Sequence, residues 1–304
     1  MKLVHLLLFL VFISTSSLAQ KVEILDKNLT IYQNLRDFCM SEKGDEVYFT
    51  IQSPNQDLSQ IVCVKNGKWS KPELMPFCDE YTYLEPFLSQ DGNKLYFSSD
   101  RPKNSLLKEK SDFDIWFVER KNHTGEWSNP INVGSNVNTE NNEFYPSLAS
   151  NNNLYFTMDS KSGLGKDDIY FCQWNGIAYA KPVLLNSNIN SEGYEFNAFI
   201  SLDESFIIYT KYNAKDGLGS GDLYLAKKDE KGEWMKAENM GEAINTKYME
   251  YCPFYDNKSN TLYFTSKRNN LKLTKFKNLI AYQDYITSEE NGLSKIYKYK
   301  IVIK

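Results

Sequence analysis

Glu85, Glu143, Glu195 and Glu250 recur at steps of 52 to 58 residues, each beside an aromatic residue or proline: Glu85-Pro86-Phe87, Glu143-Phe144-Tyr145-Pro146, Glu195-Phe196-Asn197 and Glu250-Tyr251-Cys252-Pro253. Converging carboxylates are the machinery of glycoside hydrolysis, one serving as general acid and the other as base or nucleophile. An acid and a base need different surroundings, however, and these four stand in the same context copy after copy. The recurrence therefore favours carboxylates that line a channel or bond a neighbouring backbone over a catalytic pair. The two histidines are His5 and His123, too few for a His-based triad or a zinc site. No catalytic residue, metal site or cofactor is assigned.

Two glycine-rich loops, Gly163-Leu164-Gly165-Lys166-Asp167-Asp168 and Gly217-Leu218-Gly219-Ser220-Gly221-Asp222, invite a phosphate or calcium reading. Neither opens a helix, so the phosphate cradle lacks its context. Calcium needs six to eight oxygens, and each loop offers few carboxylates. A tight turn is the favoured reading. Five cysteines leave at least one without an internal partner. Cys39 and Cys252 read as equivalent inner-strand positions of the first and last repeats, where a disulfide could latch a ring, provided the Cα atoms lie within about 7 Å. Cys63 and Cys172 read as small packing residues.

These residues need a scaffold, and the chain writes its scaffold five times. Glu46-Val47-Tyr48-Phe49-Thr50, Lys94-Leu95-Tyr96-Phe97-Ser98, Asn153-Leu154-Tyr155-Phe156-Thr157, Phe206-Ile207-Ile208-Tyr209-Thr210 and Thr261-Leu262-Tyr263-Phe264-Thr265 recur every 48 to 59 residues. A repeat of that period is one supersecondary unit. The carboxylate segment lies upstream of each marker, across a turn such as Asp91-Gly92. Downstream come a third strand (Asp114-Ile115-Trp116-Phe117, Asp168-Ile169-Tyr170-Phe171, Asp222-Leu223-Tyr224-Leu225) and a fourth (Trp69-Ser70-Lys71-Pro72, Trp127-Ser128-Asn129-Pro130, Tyr179-Ala180-Lys181-Pro182, Trp234-Met235-Lys236-Ala237). The unit is a four-stranded antiparallel meander rich in β-branched and aromatic residues. A meander with two apolar faces buries both by stacking around an axis, so the predicted fold is all-β, a five-bladed β-propeller. The fifth repeat ends at Ile301-Val302-Ile303 without a fourth strand, and Val22-Glu23-Ile24-Leu25 is predicted to supply it. A sixth blade would need roughly 40 further residues and is less favoured.

Residues 1–19 read as a signal peptide: Lys2, an apolar run from Leu3 to Ile13, and a small-residue cleavage site at Ser17-Leu18-Ala19. That run is short of the ~20 residues needed to cross a bilayer, and no Cys follows to make a lipoprotein. Residues 20–304 form the propeller domain in this reading. The formal charge of −4 becomes −5 once Lys2 is removed, which suits a solubilising surface and leaves no nucleic-acid footprint. The insertion 267–295 is the exception. Tyr263 to Ile296 spans 33 residues, against 13 to 19 in the other repeats, and starts with the basic stretch Lys267 to Lys277. It reads as a solvated excursion or as a docking arm for an anionic partner or headgroup.

The run from Glu85 to Arg101, with Asp114-Ile115-Trp116, resembles the TolB-like, WD-repeat-like propellers of the bacterial envelope, and weaker copies carry the likeness from Asp37 to Lys304. The Trp-x-x-Pro segments and Asn136-Val137-Asn138 and Asn188-Ile189-Asn190 look like the variety common in Bacteroidota, often fused there to peptidoglycan-binding modules. The resemblance implies a protein-interaction platform without shared catalytic residues. TolB's α/β domain is not expected here, so TolB's own role is not carried over. The expectation is an exported periplasmic or secreted monomer that binds an envelope protein or glycan. Its contact surface would be the mouth where inner strands begin, ringed by Tyr83, Glu85, Glu143, Tyr145, Glu195, Asn197, Glu250 and Tyr251. A glycoside hydrolase or lyase using inner-strand carboxylates is the alternative.

Overall fold

The computed structural model describes residues 21–303 apart from 105, 107 and 108; the expected signal peptide lies outside the described residues. Chain order opens with the short strand β1 (Glu23–Ile24) and a 3-10 turn at Lys27–Ile31. The first blade holds β2 (Asn34–Met40), β3 (Glu46–Gln52), β4 (Ser59–Lys65) and β5 (Glu73–Leu74). The second holds β6 (Tyr83–Leu88), β7 (Lys94–Ser99), β8 (Asp114–Glu119) and β9 (Ile131–Asn132). The third holds β10 (Glu143–Leu148), β11 (Leu154–Met158), β12 (Asp168–Cys172) and β13 (Val183–Leu184). The fourth holds β14 (Glu195–Ile200), β15 (Phe206–Tyr212), β16 (Gly221–Lys227) and β17 (Glu238–Asn239). The fifth holds β18 (Glu250–Asp256), β19 (Thr261–Ser266) and, beyond the helix α1 (Leu279–Ile286), β20 (Lys295–Lys300).

Five four-stranded antiparallel sheets result, and the last runs β1-β20-β19-β18. The N-terminal strand therefore completes the C-terminal blade, with Glu23 opposite Lys298 and Ile24 opposite Tyr297. The closure extends past the strand, since Leu25 N donates to Ile296 O at 2.9 Å and Leu35 N to Ser294 O at 2.8 Å. Leu25 and Leu29 are buried against Phe49, Val64 and Ile296 at this seam. The fold is a five-bladed β-propeller.

The Tyr-Phe marker explains why the sheets stack. Neighbours on a strand point to opposite faces, so Tyr155 joins one apolar cluster, with Ile207 and Tyr209, and Phe156 another, with Ile115 and Val137. Each blade thus seals two interfaces at once. The Trp-x-x-Pro segments are not the fourth strands. Those are the residue pairs that follow: Glu73–Leu74, Ile131–Asn132, Val183–Leu184 and Glu238–Asn239. Proline has no N–H to give the ladder, so pairing waits until the prolines are passed. The aromatic residue packs as an anchor instead: Trp234 and Tyr179 are buried, and Trp127 lies under the Arg120 guanidinium at 4.3 Å.

Candidate functional site

Every inner strand slips register at one place, between Arg36 and Cys39, Leu84 and Phe87, Phe144 and Ser147, Phe196 and Phe199, and Tyr251 and Phe254. The bulged residues are Asp37, Glu85, Tyr145, Asn197 and Cys252, all left-handed, with φ between 52° and 63°. Five such residues, none of them glycine, cost on the order of 1 kcal/mol or more each, and such conformations cluster at functional sites. A bulge also frees a backbone N–H that needs a partner. Glu85 N reaches Asp37 Oδ2 and Thr50 Oγ1, Tyr145 N reaches Glu85 Oε2 and Ser98 Oγ, and Asn197 N reaches Thr157 Oγ1. The hydroxyl that ends the Tyr-Phe-Ser/Thr marker is thus the clasp between one blade's second strand and the next blade's bulge.

The bulged side chains converge on the axis around Arg36. Its guanidinium donates to Asp37 Oδ1 and to Glu85 Oε1, both at 2.7 Å, and lies 5.3 Å from the Tyr251 ring centre. Asn197 Nδ2 donates to Glu85 Oε1 at 3.3 Å, and the Cys252 thiol donates to Asp37 Oδ1 at 2.8 Å. Asp37 and Glu85 are 1% and 4% exposed. Burial raises the Glu85 carboxyl, and the nearby Arg36 charge works against that rise. Below the cluster, the Phe254 ring meets Phe38, Phe87 and Phe199 at 5.3 to 6.5 Å, closing the axis with aromatic packing.

The eight residues expected at the mouth divide. Glu85, Tyr145, Asn197 and Tyr251 come together at this cluster; Tyr83, Glu143, Glu195 and Glu250 do not. Glu85 is a bulge residue, whereas the other three glutamates stand two positions ahead of their bulges and fold back on the preceding loop. Glu143 Oε1 accepts from Thr139 N and Oγ1, and Glu195 accepts from Ser191 N and Oγ. Glu250 accepts from Thr246 N and Oγ1 and from Ser266 Oγ. Each closes a Ser/Thr-x-x-x-Glu loop and is fully buried. Burial pushes the Glu143 carboxyl up to about 8, against the bonds from Thr139. Tyr83 is buried between blades and donates to Asp79.

The asparagines nearby are structural too: the side chains of Asn138, Asn190 and Asn245 each pair with both backbone groups of a third-strand residue, Ile115, Ile169 and Leu223. The glycine loops belong to the same seam. A Cβ on Gly165 would stand 2.3 Å from Gly193 O, and one on Gly219 would stand 2.2 Å from Tyr248 O. Those loops lie flat against the next blade. Among the described residues no group of His, Cys, Asp and Glu is arranged to hold a metal ion.

The Cys39–Cys252 latch does not form; both thiols are free. Cys252 is a bulge residue whose counterpart in the first blade is Asp37, so the two cysteines are not equivalent. Cys39 packs instead with Tyr48 and Leu88. Cys63 and Cys172 are buried and free, as packing residues should be.

The cluster opens to a cavity of about 270 Å³ at the end where the inner strands begin. Phe144, Phe196, Met249 and Tyr251 line it, with Arg36 and Glu85 and, from outside the inner strands, Asp167 and Lys267. These last two are uncompensated charges. Burial and the like charges of Asp159 and Asp168 raise the Asp167 carboxyl to about 6. Burial and Arg36 lower Lys267, Cys252 acting slightly against them. Sequence reasoning missed Arg36, Asp37, Asp167 and Lys267. Alignment of the inner strands on their prolines would have exposed Asp37 as the partner of Glu85; nothing in the sequence links Lys267 to Asp167. A larger open cleft, about 1030 Å³, lies off the axis between β1 and the insertion.

No protein-family model matches the chain, and no curated protein sequence does. Among solved structures it is similar to an endo-arabinase from Bacteroides thetaiotaomicron, with a TM-score of 0.57 and 14% identity over 94% of this chain and 98% of that one. It is similar to an α-L-arabinofuranosidase from Podospora anserina, solved with cellotriose, with a TM-score of 0.53 and 9% identity over 92% and 93%. A TolB-like protein from Agrobacterium tumefaciens matches with a TM-score of 0.49 and 12% identity over 77% and 70%. Of two other matched chains it spans 33% and 35%. At these identities the likeness is one of fold. No helix among the described residues is long and apolar enough to cross a membrane.

Proposed function

We propose that this chain is an exported, non-enzymatic binding propeller of the bacterial envelope that captures a protein or glycan partner at the mouth where its inner strands begin. One observation carries the reading. The axial carboxylates of Asp37 and Glu85 are engaged by one guanidinium and by backbone N–H groups, while the open wall above them keeps aromatic rings and two unpaired charges. Rings such as Phe144, Phe196 and Tyr251 are rigid anchors for a partner's apolar face or a sugar ring. Unpaired Asp167 and Lys267 supply orientation and choice of partner.

A glycoside hydrolase is the competing reading, favoured by the fold likeness to the arabinase and by the raised Glu85 carboxyl. It requires an acid and a base that both reach substrate, and here the two candidates are shared on Arg36. The test takes purified protein through a glycan array and a pull-down from envelope extract. Phe196→Ala with Lys267→Ala should weaken capture at least tenfold, roughly 2 kcal/mol, and leave melting unmoved. Hydrolysis of any glycan, abolished by Glu85→Gln, would replace the binding reading with the enzymatic one.

A further inference from the structure

The insertion in the fifth blade has no role in closing the propeller, and its surface is out of keeping with the rest of the molecule. None of the eight residues of α1 is buried. Leu279 and Ile280 are 67% and 68% exposed, Tyr282 and Ile286 are also exposed, and Leu273, in the strap that leads to the helix, is fully open. Leu279, Tyr282 and Ile286 stand at i, i+3 and i+7 and so share one face. Asp284 lies about 200° around the helix from both Tyr282 and Ile286, off that face.

The element is nevertheless built to hold its shape. Asn278 caps the helix by accepting from Ala281 N at 2.9 Å. Tyr285 accepts from Lys272 N at 2.6 Å and donates to Lys272 O at 3.1 Å, pinning the strap beside the helix. Phe276 packs against Tyr282 and Tyr285 at 5.1 and 5.2 Å. Arg268 is withdrawn from the basic stretch: it is buried, 4.6 Å from the Tyr297 ring centre, and bonds Ile244 O. That leaves Lys272, Lys275 and Lys277 exposed on the strap, with no ion pair recorded for any of them.

An ordered element that shows water several large apolar side chains, next to three unpaired lysines, has the surface of an in-plane membrane anchor. We propose that residues 271–286 dock the propeller on an anionic phospholipid surface, the apolar face of α1 entering the headgroup boundary and Lys272, Lys275 and Lys277 meeting lipid phosphates. The charge is of the sign that such a surface attracts, and each lysine near it contributes on the order of fivefold in affinity. One short helix gives reversible binding. The site is separate from the axial mouth, so it stands or falls independently of the partner captured there.

Co-sedimentation of the purified protein with two vesicle types tests this, one of phosphatidylcholine alone and one of phosphatidylcholine mixed with phosphatidylglycerol. The protein should pellet with the mixed vesicles, pellet little with the neutral ones, and be released by high salt. Lys272→Glu with Lys275→Glu and Lys277→Glu should weaken binding about a hundredfold or more. Leu279→Glu with Ile280→Glu should abolish it, and neither variant should shift the melting transition, since all five side chains are exposed. Failure to pellet with mixed vesicles, equal pelleting with neutral ones, or unchanged binding by the Leu279/Ile280 variant overturns the proposal. So does sedimentation of the free protein as a dimer that the same variant dissolves, since the face would then be occupied by a second copy.

Discussion

Replacing Arg36 by Met tests whether the axial carboxylates are held by this residue or stand ready for other work. The side chain is removed at nearly constant length, and Asp37 and Glu85 are left 1% and 4% exposed without the cation that both contact at 2.7 Å. Breaking a buried pair from one side costs about 3–5 kcal/mol. For a chain of this size that is a fall in melting temperature of roughly 10 °C. The loss should depend on pH. Glu85 is already raised in the folded protein by burial, and without Arg36 it rises further. A carboxyl raised on folding contributes stability that is complete below its unfolded value and fades as pH climbs through the folded one. The variant should therefore fall further behind the parent at pH 8 than at pH 5.

Neutralising the stranded groups, as Arg36→Met with Asp37→Asn and Glu85→Gln, should recover most of the loss, because Asn tolerates the left-handed backbone at position 37. Thermal and urea unfolding of the three proteins across pH supplies the measurement. An Arg36→Met protein within about 1 kcal/mol of the parent, or a triple variant no better than the single one, would refute the reasoning. Asp37 and Glu85 would then be free to serve a ligand or a reaction.

Glu143→Gln should flatten a different pH dependence. The native carboxyl, raised to about 8 from 4.5 by burial, withdraws up to about 5 kcal/mol of stability as pH rises between those values. The glutamine keeps an acceptor for Thr139 and cannot ionise, so its unfolding midpoint should stay level from pH 5 to 9 where the parent's falls. Gly219→Ala should destabilise by about 3 kcal/mol, because its Cβ would meet two backbone oxygens, Tyr248 O at 2.2 Å and Thr246 O at 2.3 Å. A loss under about 1 kcal/mol by urea unfolding would show that this blade seam yields.

The blade count and the ring closure could be read from the chain because both rest on local patterns. Alternating apolar residues, Asp-Gly turns and a five-fold marker specify strands wherever they occur, and a last repeat one strand short calls for a strand from elsewhere. The marker's terminal hydroxyl was visible in every copy, from Thr50 to Thr265, without its purpose. Its purpose depends on a bulge in the following blade, and no local signal announces a bulge when the bulged residues are Asp, Glu, Tyr, Asn and Cys.

That bulge marks the division between sequence and tertiary structure. The amino-acid order alone determined a propeller of five four-stranded blades, with carboxylates and aromatic residues at the starts of its inner strands. Only the folded chain decided that Glu85 meets the axis while Glu143, Glu195 and Glu250 turn back into their own loops. Side-chain direction alternates along a strand, and an inserted residue resets the alternation. Two residues of offset from a bulge thus separate a side chain on the axis from one that closes a loop. Ring geometry likewise brought Arg36, from the first blade, and Lys267, from the fifth, to the mouth where Glu85, Asn197 and Tyr251 converge.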